Sequence, residues 1–157
     1  MSGSRITAII FGALMMGVAS FAVVVAVLVS TGTVVMSTGP TAPPDGASGL
    51  AAGLGPVQMM AIIASLAVLS AVPVAFALRA RILARSATPA TARWQQAHIV
   101  AGAILEGAGL LCCVFALVTG HLAFLAGAGL MVIAMAALFP TPARADLWAA
   151  EVADLSP

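Results

Sequence analysis

Between Arg5 and Arg79 the sequence carries a single charged residue, Asp45, and between Arg93 and Arg144 it carries one more, Glu106. Soluble domains are about a quarter charged, whereas this chain is 7% charged and 62% hydrophobic, with a mean hydropathy of +1.17. Apolar runs of roughly 20 residues match the thickness of a bilayer when they are helical. The chain therefore reads as an all-α polytopic membrane protein. Its 157 residues make one four-helix transmembrane domain and leave no room for a soluble catalytic domain.

The pattern predicts helices over about 6–30, 56–78, 94–118 and 122–139. An outer loop at 31–55, rich in Thr, Gly, Ser and Pro, separates the first two. Pro56 suits a first helical position, and Pro73 inside the second helix predicts a kink near 69–73. Thr119-Gly120-His121 is too short for anything but a tight reversal, so the last two spans are expected to pack antiparallel. Pro140 and Pro142 end the fourth span. The apolar run after Arg5 is too long for a signal peptide core and is expected to be retained as a helix.

All six basic residues are arginines. Arg5 precedes the first helix, Arg79, Arg81, Arg85 and Arg93 fall in the 79–93 loop, and Arg144 follows the fourth helix. The positive-inside rule then puts both termini and the 79–93 loop in the cytoplasm and the chain in an inner (cytoplasmic) membrane. Those four loop arginines, with Trp94 and Trp148, are expected to anchor the protein at the interface, where each arginine gains about 1 kcal/mol from anionic lipid. The net charge of +1 gives no reason to expect a nucleic-acid partner. The 140–157 tail puts Trp148, Val152 and Leu155 on one arc opposite Arg144, Glu151 and Asp154, which predicts a short amphipathic helix lying on the cytoplasmic interface.

Motifs for catalysis are missing from the sequence. It has no C-x-x-C, no H-x-x-x-H and no Gly-rich phosphate loop after a strand. His98 and His121 stand at opposite ends of the third span, roughly 35 Å apart at the helical rise, too far to share a haem iron or metal. Cys112 and Cys113 are adjacent, where a disulfide is strained, and read as small packing residues. An enzyme is the least supported class, and no cofactor is expected.

Small residues mark the expected helix contacts. On the first helix they are Ala8, Gly12, Met15, Ala19, Ala22 and Ala26; on the third, Ile99, Gly102, Glu106, Gly109, Cys113, Ala116 and Gly120. The two helices also align without gaps when Gly12 is set against Gly102, as a parallel repeat would, with Met16 in the place of Glu106. Glu106 lies eight residues beyond His98, roughly 12 Å into a hydrocarbon core of about 30 Å. A charge there costs about 3 kcal/mol or more, which makes Glu106 a functional candidate. It is expected to face a helix contact as a buried, protonated carboxyl, bonded to a backbone carbonyl or to Ser65 or Ser70.

The run from Ala103 through Glu106-Gly-Ala-Gly to Val118 resembles the carboxylate-bearing helix of the rotor-ring c subunits (proteolipids) of rotary ATP synthases. The resemblance extends to the preceding loop, with Arg85 and Pro89 about one helix length before the acid. It implies a membrane hairpin in which Glu106 carries H+ or Na+. The ending from Phe139-Pro-Thr-Pro142 to Asp154-Leu-Ser-Pro157 is similar to that of small four-helix bacterial membrane proteins of unassigned function. Two readings stand at this point. One is a non-catalytic accessory or scaffold subunit with a buried Glu106; the other is a proteolipid-like ion-binding subunit. Both expect the lipid bilayer and other membrane subunits, or a second copy, as partners.

Overall fold

The computed structural model describes residues 3–33, 55–85 and 89–154, which form five α-helices and no strand. They are α1 (Gly3–Ser30), α2 (Pro56–Leu83), α3 (Ala90–Thr119), α4 (Phe124–Ala137) and α5 (Pro142–Asp154). Most of the expected 31–55 loop, part of the 79–93 loop and the end of the tail with Leu155 lie outside the described residues. Local chemistry sets several ends. Pro56 opens α2, where its missing N–H costs nothing, and the Gly55 N–H donates to Gln58 Oε1. Gly120 closes α3 with φ +70, a left-handed cap that glycine adopts without a Cβ penalty. Its N–H donates to Ala116 O at 2.9 Å.

Helix lengths depart from the sequence pattern in two places. α2 continues past 78 through Arg79 and Arg81 to Leu83, and α3 begins at Ala90, before Trp94, so the expected 79–93 loop contracts to 84–89. Arginine is a good helix former, and its aliphatic stem lets the helix outrun the apolar region while the guanidinium reaches polar surroundings. α4 begins at Phe124 and has only 14 residues, about 21 Å at the helical rise. Three helices, Arg5–Ser30, Pro56–Leu83 and Ala90–Thr119, are long and apolar enough to cross a membrane. A fourth span is reached only if α4 and α5, bent by 54° from each other, count as one. Pro73 lies within α2, and the helix continues through it from Pro56 to Leu83.

α3 is the central helix. α1, α2 and α4 all pack on it, α4 touches both α1 and α2, and α1 and α2 do not touch each other. α1 runs parallel to α3, with Phe11 at Gly102 and Val18 at Gly109. α4 runs antiparallel to α3, since Phe124 meets Phe115 and Met131 lies at Gly109. All six arginines consequently gather at one end of the bundle.

The buried face of α1 is Thr7, Phe11, Val18 and Val25, one residue out of register with the small-residue stripe Ala8, Gly12, Met15, Ala19, Ala22 and Ala26, whose members are all only half-buried. The reason lies on α3. A Cβ built on Gly102 would stand 2.8 Å from Phe11 Cε2, and one on Gly109 would stand 2.9 Å from Val18 Cγ1. The glycines are recesses that receive large α1 side chains, so large packs against small. Phe11 is fully buried and meets Phe139 edge-on at 6.0 Å.

Candidate functional site

Glu106 sits near the midpoint of α3 and is half-buried, not enclosed. Its Oε1 lies beside α1, where a methyl group placed on Gly17 would come within 3.6 Å of it. Ser65 and Ser70, the partners expected from α2, do not reach it: both are exposed, and the Ser70 hydroxyl donates to Ala67 O at 3.3 Å. The carboxylate accepts no hydrogen bond from the described residues.

The surroundings of Glu106 follow from the missing contact between α1 and α2. With α1, α4 and α2 on three sides, the fourth side of α3 is uncovered along Ala103, Gly107 and Val114, all exposed. A Cβ on Gly107 would meet nothing within 4 Å. Glu106 stands at the α1 edge of this strip, with the exposed Gly17 of α1 beside it. The result is an uncovered strip with small residues at Ala103 and Gly107 and one carboxylate at its edge, a surface whose small residues let a helix backbone approach closely.

The other packing candidates take different places. Gly102, Gly109 and Cys113 are buried on the face of α3 that receives α1 and α4, whereas Gly120 is exposed and serves as the α3 cap. Gly12 and Ala19 are half-buried beside the contact face of α1. Cys112 and Cys113 are both free and buried.

At the arginine end, the expected anchors divide. Arg81 and Arg85 are exposed. Arg93 turns inward, its Nη1 donating to Leu83 O at 3.1 Å and to Arg85 O, and its guanidinium lies 5.5 Å from the Trp148 ring centre. Trp94 is not a lipid-facing anchor: it is 4% exposed and stacks on His98 with ring centres 4.2 Å apart. One turn separates the two, so the i, i+4 spacing was the available signal. His98 is itself buried, with Nδ1 2.8 Å from Trp94 O. A carbonyl only accepts, so Nδ1 carries the proton and donates.

A cavity of about 560 Å³ opens between α2 and α4 toward the end of the bundle away from the arginines, lined by Ala64, Ser65, Val68, Cys112, His121 and Phe124 among others. Its polar side chains are Ser65, Cys112 and His121. Among the described residues no three His, Cys, Asp or Glu side chains group as a metal site. The chain matches no protein-family model, no curated protein and no solved structure.

Proposed function

We propose that this protein is a non-catalytic accessory or scaffold subunit of a membrane assembly, one that docks a transmembrane helix of another protein against the uncovered strip of α3. The observation that carries this reading is the half-buried Glu106 at mid-height of that strip, beside Gly17 and with no hydrogen bond from the described residues. A carboxyl held against hydrocarbon is costly, and a partner helix offering a donor would relieve the cost. This chain's arginines all lie at one end, so a cationic donor comes from a different protein. By the positive-inside rule the arginine end faces the cytoplasm, with both termini on that side, and α4 completes a four-span domain in the inner membrane.

The same observation supports a second reading. A carboxylate at the subunit surface, free of internal hydrogen bonds, is placed as a proteolipid-like subunit would place a site exchanging H+ or Na+. Labelling of membranes with dicyclohexylcarbodiimide at several pH and sodium values, with Glu106→Gln as control, separates the two. Labelling at Glu106 that sodium or high pH suppresses supports ion exchange. Accessory function predicts instead that a discrete partner co-purifies in mild detergent, that Glu106→Gln weakens its recovery, and that no sodium protection is found. Recovery of the wild type with no partner, and without labelling, would remove both readings.

A further inference from the structure

The arginine end of the bundle contains more positive charge than its fold accounts for. Arg93 and Arg144 have structural work. Arg93 Nη1 donates to Leu83 O and Arg85 O at the end of α2, and Arg144 Nη1 donates to Ala137 O at 3.1 Å and Phe139 O at 3.5 Å at the end of α4. Helix C-terminal carbonyls attract cations, so both placements are those of caps. Arg79 has no such task. It lies one turn before the end of α2, half-buried, with an Nε that, like that of Arg93, is shielded from solvent and lacks a hydrogen-bond partner, and none of its other donors is bonded to the described residues either.

Arg79 is also poorly placed with respect to charge. Arg144 lies within electrostatic range of it, and both arginines lie within range of the buried His98. Among the described residues no carboxylate forms an ion pair with an arginine; Asp146 and Glu151 of α5 are exposed and take no part. A half-buried and an exposed guanidinium thus share the rim of an apolar bundle with no counter-ion from the described residues. Buried donors are normally satisfied and gathered like charges normally neutralised, so the corner lacks an anion.

We propose that the corner formed by Arg79 and Arg144 binds a phosphate group. The planar fork of a guanidinium matches phosphate oxygens two at a time and is less strongly hydrated than an ammonium. Arg79 would supply its free donors, and Arg144 would add those that α4 does not use. The position, where α2 and α4 end and α5 turns aside by 54°, is the level at which a bilayer presents phospholipid headgroups. The same chemistry would accept a soluble phosphate. The inference rests on the membrane placement proposed above and is independent of Glu106.

The test uses the full chain in maltoside micelles and follows the thermal unfolding midpoint during titration with dioleoyl phosphatidylglycerol, dioleoyl phosphatidylcholine or sodium phosphate. Phosphatidylglycerol is expected to raise the midpoint by several degrees in the wild type, in Arg81→Gln and in Glu106→Gln. The shift should be largely lost in Arg79→Gln and Arg144→Gln. Arg79→Lys, which keeps the charge but loses the fork and so guards against a folding failure, should need at least about three-fold more lipid. If sodium phosphate alone reproduces the shift, the ligand is a soluble phosphate; if only the anionic lipid does, it is a headgroup. An equal response in wild type, Arg79→Lys and Arg79→Gln, or no response to either phosphate source, overturns the proposal. So does an equal shift with phosphatidylcholine in all variants.

Discussion

At Gly102 a methyl group would press on Phe11, which is fully buried, while at Gly107, on the same helix, it would meet open space. Gly102→Ala should therefore destabilise the bundle by about 1–3 kcal/mol through overpacking. Gly107→Ala should be neutral, or stabilise by about 0.5–1 kcal/mol through helix propensity. Denaturant unfolding in micelles measures both. If the strip docks a partner, Gly107→Leu should abolish co-purification while leaving the isolated chain folded. Such contrasts were only half legible from the sequence. The place of Glu106 near the middle of α3 followed from counting residues, but its neighbour did not, since counting cannot tell which side of α3 receives α1 and which α2. The register of α1 was missed for a related reason. Both the Ala8–Gly12–Met15 stripe and the Thr7–Phe11–Val18 stripe beside it suit a membrane helix, and a helix apolar all round gives no amphipathic signal to choose between them.

Among the elements, α3 and its caps carry the most specific expectations. Gly120 holds φ +70 with its N–H on Ala116 O, so Gly120→Ala should cost about 1 kcal/mol, read as a lowered unfolding midpoint. Arg93 joins the end of α2 to α5 through Leu83 O and the Trp148 ring. In a Trp94→Phe background, Arg93→Gln should make Trp148 fluorescence more accessible to iodide, and the lost cation–π contact should weaken α5 docking by about 0.5–1 kcal/mol. Proline and glycine made some of these boundaries readable: Pro56, Gly120, Pro140 and Pro142 all lie at helix ends. The extension of α2 through Arg79 and Arg81 was not readable, because a charge marks where hydrocarbon stops and does not mark where a helix stops.

For the molecule as a whole, the arrangement of three helices around α3 brings every arginine to one end, and that end is proposed to face the cytoplasm. With Cys112 and Cys113 replaced by Ser, Thr33→Cys should react with a membrane-impermeant maleimide added to intact cells, and Ala84→Cys should react only after permeabilisation. The opposite pattern would invert the topology. The length of α4 would bear on a membrane that held this protein. If α4 is the part of its bent pair with α5 that enters the hydrocarbon, its 14 residues fall about 9 Å short of a typical core, whereas α1, α2 and α3 each exceed it. The lipid around this protein would then be unevenly stretched, thinned on the α4 side and relaxed elsewhere, at a fraction of a kcal/mol per Å of mismatch. Neighbours with equally short segments would share that strained annulus, so bilayer thickness itself would help sort this protein toward its partners.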